Sequence, residues 1–346
     1  MPLTYHSAGL NLDLYEEGIA AIGPLARQTH SPRVLDGFGS FASMYHLDLQ
    51  KYRDPLLVTC TDGVGTKIHV ARMMHKHNTV GIDLVAMSVN DALCCGAEPL
   101  VFLDYVCMPS DNPTLLKQIV EGITTGCLRA GCSLVGGETA IHPGDLEEGH
   151  YDLAGFCVGV VERDQAITGQ AIKPGDIVLG LSSSGLHSNG YSLARKVVFE
   201  HAKLTVDQNI RDLGTTVGAA MLEPTRIYVK PILDLLQKYQ GQNVIRGLAH
   251  ITGGGLVDNI PRVLPKGLQV NLRRNSWPMP AIIPWIQRLG TIEQSEMDRV
   301  FNGGLGFIVI AAPQEAKAVR EHLQQARVMT HIVGEVVEGT TGVQFV

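Results

Sequence analysis

The stretch PLLVTCTDGVGTKIHVARM, residues 55–73, decides the fold class. It opens on an apolar, β-forming run at 56–60, crosses a turn with two glycines, and resumes with helical spacing over 67–77. A strand that feeds a helix through a glycine turn is half of a layered α/β unit. Outward from it the alternation continues, with strands expected at 99–107, 132–136 and 151–161 and helices at 82–96 and 113–130. Upstream, residues 1–50 are irregular and glycine-punctuated, with one helix expected at 13–28. Residues 161–176, VERDQAITGQAIKPGD, lack periodicity and end in a Pro-Gly turn, which marks a linker. Beyond it a second series begins with DIVLGLSSSG. Helices are expected near 190–201, 224–239, 255–264, 280–289 and 314–326, and strands at 246–251, 268–272, 304–312 and 330–337. The expectation is a two-domain α/β protein of layered α+β type, divided into 1–165 and 170–346.

A chain of 346 residues with 45% apolar content is long enough for two buried cores. The formal charge of −6 argues against sequence-independent nucleic-acid binding. No run of 18 apolar residues and no basic-then-apolar leader occurs, so a cytoplasmic protein with no membrane partner is expected. The seven cysteines (Cys60, Cys94, Cys95, Cys107, Cys127, Cys132 and Cys157) form no CxxC pair, as expected of reduced, buried thiols. All precede residue 158, a compositional asymmetry that supports two domains.

Five acidic residues, Asp62, Asp83, Asp91, Asp104 and Glu138, sit where folding does not require them. Burying an unpaired carboxylate is costly, so such groups usually meet a metal or a cation. The array points to Mg²⁺ held for a polyphosphate, with Asp62, Asp91 and Glu138 as ligand candidates. In Thr61-Asp62-Gly63-Val64-Gly65-Thr66-Lys67 the glycines Gly63 and Gly65 let backbone approach an anion. Thr66 opens a helix N-terminus, and Lys67 supplies a point charge. The Walker spacing is absent, and a capped strand–helix turn explains the same residues.

On the helix around Gly81–Leu93, Asp83, Met87, Asn90 and Asp91 share one face of an otherwise apolar cylinder. Asp83 fits a cap, whereas Asn90 and Asp91 lie mid-helix, where metal or nucleotide contact is the favoured reading. Gly136, Gly137, Glu138 and Thr139 follow the strand SLV, with a hairpin turn as the alternative. In the second half, Ser182–Gly190 offers hydroxyls and amides, among them His187, Ser188 and Asn189, for a phosphate or sugar. His250 precedes Thr252 and the glycine run Gly253-Gly254-Gly255, a second anion nest, although a core histidine is the plain alternative.

Taken in order, TDGVGTK, GIDLVAMSVNDALCCGAEPL, SLVGGETA, YDLAGFCVGVVE, SSSGLHSNGYSL, EPTRIYVK, LAHITGGG, DNIPRVLP and FNGGLG closely resemble the phosphoribosylformylglycinamidine cyclo-ligase (aminoimidazole ribonucleotide synthetase) family. The resemblance runs from Tyr5 to about Gly306. It implies a homodimer in which N-terminal strands form a shared barrel. It also implies ATP-dependent closure of formylglycinamidine ribonucleotide to 5-aminoimidazole ribonucleotide through an iminophosphate, with Mg²⁺ required and K⁺ a further candidate ion. Candidate roles follow. His187, His250 and Lys67 are catalytic; Asp62, Gly63, Gly65, Thr66, Asn90, Asp91, Gly136, Gly137 and Thr139 bind ATP; Ser188, Asn189, Thr252, Gly253 and Gly254 bind the ribonucleotide.

The chain departs from the family pattern at three places. Tyr-Lys-Asp-Ala-Gly reads Tyr5-His6-Ser7-Ala8-Gly9, Glu-Met-Pro reads Ile141-His142-Pro143, and Phe-Asn-Met(or Cys)-Gly reads Phe301-Asn302-Gly303-Gly304. A sibling ATP-dependent enzyme with another acceptor and a non-catalytic nucleotide-binding homologue are the alternatives. Independently of the resemblance, strands 99–107 and 151–161 are apolar on both faces, which calls for a second layer or subunit.

Overall fold

In the computed structural model, residues 3–36 and 39–346 are described. Helix α1 (Leu12–Arg27), its N-terminus capped by the Asn11 side chain, leads to a short ribbon of β1 (Val34–Asp36) and β2 (Met44–Tyr45). The first sheet then forms from β3 (Pro55–Gly63), β4 (Glu98–Met108), β5 (Ser133–Ile141) and β6 (Asp152–Glu162), ordered β3-β6-β4-β5. Only β4 and β5 run parallel. The helix α4 (Pro113–Ala130) supplies the crossover that a parallel pair needs. Helices α2 (Lys67–Met73) and α3 (Val80–Cys94) fill the span between β3 and β4.

α3 is buried nearly all round because it has neighbours on every side: the first sheet, α4 and the second half of the chain. Its closest neighbour is α4, where a Cβ on Gly81 would stand 2.4 Å from the Ile119 carbonyl oxygen. Only glycine permits that crossing.

The second half holds β7 (Ile177–Ser182), a ribbon of β8 (Asn209–Ile210) and β9 (Thr215–Thr216), β10 (Ile245–His250), β11 (Leu268–Leu272), β12 (Leu305–Ala311), β13 (Thr330–Glu338) and β14 (Gly342–Phe345). Six of these form one sheet, ordered β10-β12-β7-β13-β11-β14. The helices here are α5 (Tyr191–Arg195), α6 (Val217–Met221), α7 (Val229–Lys238), α8 (Gly255–Asn259), α9 (Ile282–Gly290), α10 (Gln294–Val300) and α11 (Ala316–Gln325). One face of this sheet packs Val178, Val270, Ile308 and Ile310 into a core of its own. The other face, through Leu181, Val309 and Phe307, joins a cluster that runs on through Tyr228 to Val85, Phe102 and Ile119. The two halves therefore share one continuous core across the linker.

Two expectations change. The helix expected from 224 starts at Val229, because residues before it lie extended over α3. Strand β5 continues through Ile141, so Gly136–Thr139 lie inside an edge strand rather than in a turn after it. The strand β14 and the helices α6 and α10 were not visible in the sequence pattern. The face of the first sheet turned away from its helices leaves Leu57 67% and Phe156 43% exposed. Among the described residues, no helix is long and apolar enough to cross a membrane.

Candidate active site

Two polar clusters lie between the halves, and their hydrogen bonding separates them. The first is a seam. Lys67 is wholly buried, and its ammonium donates to Asp83 Oδ1 at 2.9 Å, to the His187 carbonyl at 2.9 Å and to the Glu223 carbonyl at 2.7 Å. Asp83 Oδ1 also accepts from the Thr225 N–H at 2.7 Å and the Thr225 hydroxyl at 2.6 Å. About two turns along α3, Asn90 donates to the Arg226 carbonyl at 2.9 Å and accepts from the Tyr228 N–H at 3.0 Å. The Glu223–Tyr228 segment is thus stitched to α3 through its backbone, which is why it cannot begin a helix earlier. Burial draws the Lys67 ammonium down and pushes the Asp83 carboxyl up, and their contact opposes both shifts.

His187 belongs to the same seam. Its backbone is left-handed, with φ +61°, and its Nε2 accepts from the Ser184 N–H at 3.1 Å. The ring lies over Gly306, where a Cβ would stand 2.3 Å from His187 Cε1. Burial, with His250, Lys67 and Arg226 nearby, holds the imidazole well below its ordinary value, so it is neutral near pH 7. Lys67, His187 and Asn90, expected to serve catalysis and nucleotide binding, thus all lie in the seam. The Lys67 and Asn90 donors are spent on carbonyls and Asp83, while His187 Nδ1 and Asp83 Oδ2 are buried without a partner among the described residues.

The second cluster is an open mouth. Asp62 ends β3, Asp91 lies on α3 and His250 ends β10, so three elements from both halves converge there. His250 Nδ1 is 2.8 Å from Asp91 Oδ1, while the His250 N–H donates to Cys94 Sγ at 3.1 Å. The carboxylate fixes the proton on Nδ1 and leaves Nε2 as a lone-pair acceptor. That nitrogen is buried and has no partner among the described residues. Desolvation, then the Asp91 charge, raises the Asp62 carboxyl, while the Gly63 N–H and His250 pull the other way. Two carboxylates under mutual repulsion beside an unsatisfied imidazole suit a cation and a transferable proton.

Around the mouth, Asn189 Oδ1 stands 3.7 Å from where a Gly253 Cβ would be. Asn259 Nδ2 donates to the carbonyls of Thr252, Gly253 and Gly255, which fixes the glycine loop. The N–H groups of Gly253 and Gly254 make no hydrogen bond among the described residues. Such paired, outward N–H groups form an anion nest. Ser188, by contrast, spends its hydroxyl on the Val64 carbonyl at 2.7 Å. Gly65, at φ +67°, borders open space beside Thr66.

Glu138 does not join this group. It lies on β5, at the opposite edge of the sheet from β3, about 14 Å away at three strand spacings. Gly136, Gly137 and Thr139 go with it. Among the described residues, no three His, Cys, Asp or Glu side chains are close enough to hold a metal. The expected set of Asp62, Asp91 and Glu138 is corrected, within one chain, to Asp62 with Asp91. A pair of carboxylates still fits Mg²⁺, which commonly takes one or two protein ligands and completes its shell with water and phosphate oxygens. Two of the departures from the family pattern adjoin in space, since a Cβ on Gly9 would stand 2.9 Å from Pro143 Cβ. The lost charges at 6–7 and at 141 are therefore changes to one locality.

Comparison with known proteins agrees with this architecture. Residues 46–161 match the model of the AIR synthase related protein N-terminal domain, and residues 173–346 match that of its C-terminal domain. The phosphoribosylformylglycinamidine cyclo-ligase of Syntrophus aciditrophicus is 49% identical, over 96% of this chain and 95% of its own. That of Caldanaerobacter subterraneus is 47% identical over 99% of both. Among solved structures, thiamine-monophosphate kinase from Stenotrophomonas maltophilia has the same fold, with a TM-score of 0.68 at 16% identity, covering 94% of this chain and 95% of that one. So does the hydrogenase maturation protein HypE in complex with ATP, with a TM-score of 0.63 at 16% identity over 93% and 88%. With both domain models matched in order and relatives near half identity along the whole length, the chain belongs to the phosphoribosylformylglycinamidine cyclo-ligase family.

Proposed function

We propose that this protein closes formylglycinamidine ribonucleotide to 5-aminoimidazole ribonucleotide at the expense of ATP, and that the Asp62–Asp91–His250 mouth is where it does so. The observation that carries the site is the Asp91–His250 pair, with Nε2 desolvated, unpartnered and flanked by an anion nest. Ring closure needs a formamide oxygen made into a leaving group, a nitrogen freed of its proton, and charge held in place meanwhile. His250 Nε2 accepts the proton from the attacking nitrogen, and Asp91 stabilises the imidazolium that results. The Gly253 and Gly254 N–H groups and Asn189 receive the anionic oxygens.

Mg²⁺, when bound, neutralises phosphate charge during transfer, and Asp62 with the free oxygen of Asp91 would hold it. Titration calorimetry of Mg·ATP tests that assignment without turnover, since Asp62→Asn should weaken Mg·ATP and leave metal-free ATP unchanged. Equal loss of both would remove Asp62 from the metal site.

The bare face of the first sheet, with Leu57 and Phe156 exposed, supports a homodimer built on this layer. A monomeric mass by light scattering at micromolar concentration would refute it. Release of ADP from ATP, measured with and without the ribonucleotide in Mg²⁺, tests the reaction. Turnover that depends on the ribonucleotide is expected, and turnover only with another acceptor would favour a sibling activity.

A further inference from the structure

Beside the mouth lies a basic cluster that the reaction centre does not use. On α2 the side chains of Lys67, Ile68, Val70 and Ala71 face inward, so Thr66, His69 and Arg72, spaced by three, make the outer stripe. Thr66 Oγ1 meets Ser192 Oγ at 3.4 Å, which sets α5 alongside and brings Arg195, one turn past Ser192, next to the stripe. His150 comes in from the segment before β6, its ring edge-on to that of His69 with centroids 5.7 Å apart.

The positive charge here lacks an answering anion. Arg195 Nε is buried without a partner, and neither arginine side chain makes an ion pair or hydrogen bond among the described residues. The two guanidiniums are near enough to oppose each other, and after burial both act to depress the His69 imidazole. The carboxylates in reach are Glu200, which acts on Arg195, and the exposed Glu147, 3.2 Å from His150 Nδ1. A folded chain gathers like charges at a cost, and planar guanidinium donors match the oxygens of a phosphate.

We infer that Arg72, Arg195 and His69 anchor the phosphate monoester of the ribonucleotide, with its amide end at the Asp62–Asp91–His250 mouth. This rests on the reaction proposed above. From Thr66 to Arg72 the helix advances about 9 Å, which sets the anchor apart from the mouth. A polyphosphate is the poorer occupant, because it arrives with Mg²⁺ and the stripe offers that ion no carboxylate. A monoester dianion needs cations alone.

The test measures KM for the ribonucleotide and for ATP in Arg195→Gln and Arg72→Gln. Losing a charge-assisted hydrogen bond should raise the ribonucleotide KM about tenfold or more in each variant, with the ATP KM and kcat nearly unchanged. Inorganic phosphate should compete with the ribonucleotide in the wild type and lose potency in the variants. An unchanged ribonucleotide KM, or a rise in the ATP KM instead, overturns the anchor while leaving the reaction standing. If the wild type does not turn over the ribonucleotide, the reaction itself has failed, and protection by inorganic phosphate in thermal unfolding decides the anchor separately. Protection lost in Arg72→Gln then supports the cluster as a phosphate site, and protection equal in both proteins, or absent from both, overturns it. Should Arg195→Gln fail to fold, Arg72→Gln on the outer stripe carries the test alone.

Discussion

The Lys67 seam and the Asp91 mouth are built from the same materials, and they differ in whether their hydrogen-bond donors are already spent. In the seam, every hydrogen of the Lys67 ammonium has an acceptor and both ends of the Asn90 amide are paired with backbone, although Asp83 Oδ2 and His187 Nδ1 are buried without a partner among the described residues. In the mouth, His250 Nε2 and the N–H groups of Gly253 and Gly254 have no partner among the described residues. Donors spent on fixed acceptors hold two halves in one arrangement, whereas donors left unspent beside a carboxylate and an imidazole can meet a ligand. Asn90 and Asp91, adjacent on one helix, fall on opposite sides of this divide.

The largest expected effect is on the seam. Lys67→Met leaves Asp83 buried without its cation, and should cost about 3–5 kcal/mol in urea unfolding. A variant that kept full stability and lost only ADP release would return Lys67 to the chemistry. Next, Asp91→Asn should lower kcat by about 10²-fold or more while holding the melting temperature, because it withdraws the group that orients and charges His250. Full turnover with an altered melting temperature would make Asp91 part of the seam instead.

How much of this was legible in the sequence follows from the same distinction. The β–turn–α order was plain, because apolar periodicity reports burial directly. Polar residues inside α3 were equally plain, but a side chain that stitches two halves and one that meets a ligand leave the same mark: a polar letter among apolar ones. Asn90 therefore reads as a nucleotide contact and Lys67 as a catalytic cation, while in the structure both also bond the Glu223–Tyr228 backbone more than 120 residues later. Glu138 misled for another reason. Its strand continues past Gly136-Gly137, and sheet order places it at the edge away from Asp62, which no local pattern encodes. The Arg72–Arg195 cluster left a weaker trace, since two single arginines on separate amphipathic helices read as solvated faces.

Smaller effects sharpen the comparison. Asn90→Ala strands the Arg226 carbonyl and the Tyr228 N–H, and should cost about 2 kcal/mol with activity per folded molecule kept. Loss of turnover without loss of stability would place Asn90 in the mouth. Asp104, on β4, tests burial alone. Desolvation lifts its carboxyl to about 7, so the folded chain keeps a proton that the unfolded chain, at about 3.9, has released. Its contribution is complete below pH ~4 and is lost as pH climbs through ~7. Melting curves of Asp104→Asn should therefore fall less between pH 5 and pH 8 than those of the wild type, by about a few degrees. Parallel pH dependence in the two proteins would mean that Asp104 is ionised throughout.

The divide itself is tested most directly by His250→Asn, with kcat for ribonucleotide-dependent ADP release and the melting temperature measured on the same preparation. The mouth reading predicts that kcat falls by about 10²-fold or more while the melting temperature is held or rises, because Nε2 has no partner among the described residues to lose. A folded variant with wild-type kcat and a lowered melting temperature would contradict it, and would make His250 one more stitch in the seam.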